Sequence, residues 1–115
     1  MSYKNSVKPI DAVGINANTL GGAVYLPINA VGLSQKCILV RINNKSNVAI
    51  NISWDGTTLH DYIPAGECLT YQFFNTRDAG IYTPTIKKGQ IFYALNGAAG
   101  VGFIYVSGYY QESNI

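Results

Sequence analysis

The chain has 115 residues, a formal charge of +2 and charged side chains at only 12% of its positions. That length holds one ordinary domain and not two, with enough chain to bury a core without staples. Six Lys and two Arg against four Asp and two Glu make no basic stripe, which excludes nucleic-acid binding driven by counterion release.

From Met1 to Asp11 the chain is polar and holds Lys4, Lys8 and Pro9. This stretch contains no secretory apolar region, so synthesis in a reducing cytoplasm is expected. No apolar run approaches the ~18 residues of a membrane span, and no membrane partner is expected. Residues Ile10 to Leu33 are Gly-rich, with weak alternation around Ala23 to Ile28. They read as one or two edge strands, or as an arm over residues 1–35 that leaves the domain and is exchanged with a neighbour. Residues 36–115 read as the domain body.

Period-2 alternation begins in earnest at Ile38. Ile38, Val40 and Ile42 share one face, and Val48, Ile50, Ile52 and Trp54 share another. Asn43-Asn44-Lys45-Ser46-Asn47 between them is turn-type sequence, and the two runs predict a β-hairpin. Asp55-Gly56 closes the second run, and Thr57 to Ile63 returns as a short strand. Pro64-Ala65-Gly66 is a turn. Leu69, Tyr71 and Phe73 then alternate with Thr70 and Gln72. Asn75 to Gly80 is loop, Thr83 to Ile86 is at most a short edge strand because of Pro84, and Lys87 to Gln90 turns the chain. Ile91 to Leu95 is a strand, followed by the Gly97-Ala98-Ala99-Gly100 turn.

The last strand, Val101 to Tyr110, has two apolar faces. Val101, Phe103, Tyr105 and Tyr109 fall on one side, with Ile104, Val106 and Tyr110 on the other. Such a strand is either covered on both faces or presents one to a partner. Gly102 and Gly108 leave room for a bulge or a close backbone approach. No sustained helical period occurs, so the expected fold is all-β: a small antiparallel sandwich or barrel, jelly-roll-like or Ig-like.

Residues with chemistry are few. His60 is the only histidine, and its neighbour Asp61 points the other way along a strand, so adjacency makes no catalytic pair. Cys37 and Cys68 sit beside Ile38 and Leu69 and read as buried thiols. CxxC and HxxxH spacings are absent, and no metal or cofactor is expected. Asp55, Asp61 and Asp78 form no ordered calcium loop. The expected class is therefore non-enzymatic. Tyr is an amphipathic ring that interfaces favour, and the nine tyrosines supply the candidate contact residues Tyr105, Tyr109, Tyr110 and Tyr25. A glycan site is the alternative, built from Trp54, Asp55, His60, Asp61 and Tyr62, although the alternation already assigns Trp54 to the apolar face.

The pieces Arg41-Ile42-Asn43-Asn44, Ile50-Asn51-Ile52-Ser53-Trp54-Asp55-Gly56 and His60-Asp61-Tyr62-Ile63-Pro64-Ala65-Gly66 occur in that order. Gly97-Ala98-Ala99-Gly100 and Ile104-Tyr105-Val106-Ser107-Gly108-Tyr109-Tyr110 follow. Together they resemble small β-sandwich (jelly-roll-like) structural proteins of tailed bacteriophage virions, of the head-decoration, cement or adaptor sort. The resemblance spans Arg41 to Gln111 and leaves the first 40 residues unmatched. It implies a virion component made in the host cytoplasm and assembled in many copies on a capsid or tail lattice. It also implies a homo-oligomer, with a trimer favoured, and carries over no catalytic residue.

Overall fold

The computed structural model describes residues 4–72, 84–96 and 99–114. Its strands are β1 (Lys4–Pro9), β2 (Val13–Asn16), β3 (Leu26–Pro27), β4 (Leu39–Ser46), β5 (Ile50–Ser53), β6 (Asp61–Ile63), β7 (Cys68–Gln72), β8 (Tyr93–Leu95) and β9 (Gly102–Asn114). A 3-10 turn, Ala17–Thr19, follows β2. One sheet has the order β1-β9-β4-β7, with β2 also beside β9; the other has the order β3-β8-β5-β6. All pairs are antiparallel.

β1 and β2 occupy the same edge of β9, and the Ile10 N–H donates to the Gly108 carbonyl at 2.9 Å between them. Counted as one interrupted strand, they complete a nested series: first with last (β1/β2 with β9), then β3 with β8, β4 with β7, and β5 with β6. Two sheets built by that nesting are a jelly roll.

The nesting corrects the hairpin expected over Ile38–Trp54. β4 pairs with β7 and β9, whereas β5 pairs with β6 and β8. The chain crosses from one sheet to the other at residues 47–49, and Asn43 to Ser46 belong to β4 instead of forming a turn. The alternation itself holds: Val40 and Ile42 from one sheet face the core, as do Ile50 and Ile52 from the other. Alternation reports which side chains are buried and carries no information on which strand lies alongside. The local hairpin is β5–β6, closed by residues 54–60.

Asn44 explains why the crossing is stable. It is fully buried, and its Nδ2 donates to the carbonyls of Val48 (2.8 Å), Pro64 (3.1 Å) and Ile63 (3.2 Å). Its Oδ1 accepts from the Ser46 N–H at 3.1 Å and from the Ser46 hydroxyl. One amide thus ties the β4–β5 crossing to the β6–β7 crossing.

The core joins both sheets through Phe92, Ile42, Ile50, Ile52, Ile63 and Ile104, among others. Ala17, Leu20, Ile28 and Leu33 belong to it, so the Ile10–Leu33 segment folds onto its own sandwich as edge strands. Cys37 is buried, but Cys68 is exposed, contrary to the expectation that both thiols lie in the core. The period of β7 explains the difference: Leu69 and Tyr71 turn inward, which sends Cys68, Thr70 and Gln72 outward.

Residues 88–89 and 65–66 turn as expected, and Ile86 forms an isolated bridge to Cys37. Phe73, the 75–80 loop, Thr83 and the Gly97-Ala98 pair lie outside the described residues. At the start of β9, Gly102 takes φ +110°, in a conformation that L side chains rarely adopt, and there a Cβ would run into the Lys45 carbonyl.

Candidate interaction surface

β9 is central by pairing, with β4 on one edge and β1/β2 on the other. Its inner face, Ile104, Val106 and Gly108, is buried; on the outer face Phe103 is exposed and Tyr105, Ser107 and Tyr109 are half-buried. Directly opposed residues share a face, so the register lays out this surface. Lys45 and Asn16 flank Phe103; Asn43 and Gly14 flank Tyr105; Arg41 adjoins Ser107; Leu39 and Pro9 flank Tyr109. Cys68, Thr70 and Gln72 extend the same rows on β7.

Phe103 is 42% exposed, and its ring stacks on Tyr105 with centroids 5.9 Å apart and planes 18° apart. Gly14 makes this platform possible: a Cβ there would lie 2.6 Å from Tyr105 Cδ1 and 2.9 Å from the Ile104 carbonyl oxygen. The Tyr105 ring therefore reaches across the edge strand. The strand rows on this face hold the cations Arg41 and Lys45 and no carboxylate.

Of the contact candidates, Tyr105 and Tyr109 share this face and both are half-buried. Tyr110, paired with Lys8, lies on the opposite face of β9. Tyr25 precedes β3 in the other sheet and takes no part in the surface. Phe103 is the residue that sequence reasoning left out, although the period of two had already placed it beside Tyr105.

The residues of the alternative glycan site gather around the 53–61 loop, where most of them hold the loop in shape. Trp54 packs edge-on against Tyr71 and Phe92, each with centroids 5.0 Å away. Its Nε1 donates to the Tyr71 hydroxyl at 3.1 Å, and that hydroxyl donates to Asp61 Oδ2. Burial, then the bond to Asp61, push the Tyr71 hydroxyl well above the usual tyrosine range. The Trp54 N–H donates to His60 Nδ1 at 2.9 Å, and Gln90 Nε2 donates to the Trp54 carbonyl at 2.8 Å.

Asp55 Oδ1 accepts from the N–H groups of Thr57 and Thr58 and from the Ser53 hydroxyl, each at 2.8 Å. These donors, led by the two backbone N–H groups, hold the exposed carboxyl well below the usual carboxylate range. Tyr62 is 60% exposed on β6, and His60 is exposed as well. Asp78 lies outside the described residues, and among the described residues no three His, Cys, Asp or Glu side chains gather as a metal site.

A small open pocket of about 130 Å³ lies between the β1–β2 junction and the 29–34 loop, lined by Ile10, Val13, Val31, Leu33 and Val106 with Asp11. Asn29 also borders it, but its amide is committed: Oδ1 accepts from the Phe92 N–H at 2.8 Å, and Nδ2 donates to the Gln90 carbonyl at 3.0 Å. Pockets for drug-sized ligands are roughly 300–1,000 Å³; this one has the volume of a single side chain. Comparison with protein families, with characterised proteins and with solved structures gave no match to this chain.

Proposed function

We propose that this chain is a non-enzymatic virion structural protein that docks on a phage capsid or tail lattice and stabilises or links it. The observation that carries the reading is the outer face of the five-stranded sheet. Phe103, Tyr105, Leu39 and Tyr109 stand there side by side with Arg41 and Lys45 and no carboxylate. Aromatic rings and Arg are the residues protein interfaces concentrate, while most other charged groups are depleted from interface centres. A stacked, rigid ring pair anchors a contact at small cost in side-chain entropy. Jelly rolls serve in viral capsids and in lectins, which is support by analogy of fold and says nothing of a particular site.

The docking partner is expected to be a protein surface with apolar grooves and carboxylates to meet Arg41 and Lys45. Co-sedimentation with virus particles lacking this protein tests the reading, comparing wild type with Phe103→Ser/Tyr105→Ser. Loss of the two central aromatic anchors, about 2 kcal/mol or more together, should weaken binding at least 30-fold while thermal unfolding of the free protein changes little. Failure of the wild type to bind particles, or equal binding by the double variant, would refute it.

A second reading, glycan recognition, retains one supporting observation: the exposed Tyr62 ring on β6, two residues from His60. Sugar-specific binding on a glycan array that disappears in Tyr62→Ala would favour it over docking.

A further inference from the structure

β9 outruns the rest of its sheet. β4 accompanies it only as far as Leu39 opposite Tyr109, whereas β1 continues beside it to Lys4 opposite Asn114. Residues 4–8 and 110–114 therefore form a two-stranded ribbon past the end of β4. The molecule measures 54 × 23 × 22 Å, and its radius of gyration of 15.4 Å exceeds the roughly 13 Å of a compact chain this long. Two strands alone are marginally stable in water, and among the described residues no further strand pairs with either edge of this ribbon.

The edges are not equivalent. In an antiparallel ladder the N–H and C=O of one residue point the same way, and the direction alternates along the strand. The Ile10 N–H bonds to the Gly108 carbonyl, so residues 108, 110, 112 and 114 turn toward β1, and 109, 111 and 113 turn away. The Tyr109 carbonyl accordingly accepts from the Ile38 N–H at 2.9 Å. Beyond that bond, the backbone groups of Gln111 and Ser113 face the side on which β4 has ended, where no strand among the described residues follows. On β1 the outward positions are Asn5, Val7 and Pro9. Pro9 has no N–H, and Lys8 stands on the same strand; proline and lysine are what blunt an edge against pairing. From Tyr110 to Asn114 β9 contains neither.

We propose that the ribbon is a self-assembly element: the Gln111–Ser113 edge of β9 pairs antiparallel with the same edge of a second copy across a twofold axis. The product is a continuous four-stranded sheet in the order β1, β9, the partner's β9, the partner's β1. A second copy fits because a twofold axis sets identical strands antiparallel. Each copy then offers two outward donors and two outward acceptors, Gln111 meets the partner's Ser113, and no group is left over. The ribbon lies at one end of a long molecule, so the two sandwiches stand apart. A strand pair this short lies below the roughly 1,200 Å² of a standard interface. It therefore forms reversibly with concentration and becomes firm where copies are already held side by side. This inference does not depend on the docking face.

Sedimentation velocity on the full chain, from about 1 µM to about 1 mM, should show a reversible monomer–dimer equilibrium. Gln111→Pro removes an outward N–H and leaves the β9–β1 bonds in place; it should raise the dissociation constant on the order of tenfold. Val7→Pro, which removes an outward N–H from the other edge, should leave it unchanged. Amide exchange on wild type gives the answer independently of how either variant folds: protection at Gln111 and Ser113 should rise with protein concentration, and protection at Val7 should not. A monomer at every concentration, a trimer, equal weakening by Val7→Pro, or concentration-dependent protection at Val7 in place of Gln111 would each overturn the proposal.

Discussion

Replacing Asn44 by Ala tests the claim that one buried amide holds the sheet crossings together. The side chain is fully buried and bonds three carbonyls and the Ser46 N–H. Alanine leaves no replacement, and the bonds to the Ile63 carbonyl and the Ser46 N–H are buried, while those to the Val48 and Pro64 carbonyls are partly buried. The Val48 carbonyl keeps a second donor, the Ser46 hydroxyl at 3.0 Å, so the groups left wanting are the Ser46 N–H and one or two carbonyls. At about 1–3 kcal/mol for each buried group left without its partner, the cost is about 3–5 kcal/mol. That is a large share of the roughly 5–15 kcal/mol that a domain of this kind has in total. With a urea slope of about 1.5 kcal/mol per M, the unfolding midpoint should fall by about 2–3 M. Asn44→Asp should be at least as damaging at neutral pH, since it sets a carboxylate against three carbonyls. Asn47→Ala, which removes only an exposed bond to the Val101 N–H, should cost under about 1 kcal/mol. A loss below about 1 kcal/mol for Asn44→Ala would refute the reasoning and place the crossing's stability elsewhere.

Two further outcomes follow from side-chain environment. Cys68 is exposed, while Cys37 is buried and its thiol is pushed up by burial, so a thiol reagent should modify one cysteine per native chain quickly and the second only on unfolding; two fast thiols would contradict the burial of Cys37. The Asp55 carboxyl is held low in the folded loop, so its contribution to loop order is present above the unfolded value near 3.9 and is lost as pH falls from there toward the folded value. Amide protection at Thr57 and Thr58 should therefore be level from pH 7 to 5 and fall by up to about tenfold per unit below about pH 4, and Asp55→Ala should abolish that dependence; level protection down to pH 2 would contradict it.

What the sequence by itself determined is the set of faces. The period of two identified Val40, Ile42, Ile50 and Ile52 as core and gave β9 two apolar sides. The same period, applied to β7, places Cys68 outside once Leu69 and Tyr71 are inside, and it sets Phe103 beside Tyr105. Turn residues marked where strands end, as at Pro64-Ala65-Gly66. All of this is local, because it depends on side chains two positions apart and on the backbone preferences of single residues. Tertiary structure alone decided the neighbours. β4 and β5 look like a hairpin from their spacing, yet they lie in opposite sheets, because nesting first strand with last buries both inner faces at once and Asn44 secures the crossing. Asn44 reads in sequence as turn and surface, and only the approach of Val48, Ile63 and Pro64 makes it an internal clasp. Trp54, Asp55, His60 and Asp61 read as a possible sugar site; their bonds to Tyr71, Thr57, Thr58 and one another turn them into loop supports. The ribbon edge was likewise invisible, since whether β9 outlasts β4 depends on where two strands distant in sequence meet. Hydrogen-bond register between remote segments is fixed by packing, and no window of neighbouring residues contains it.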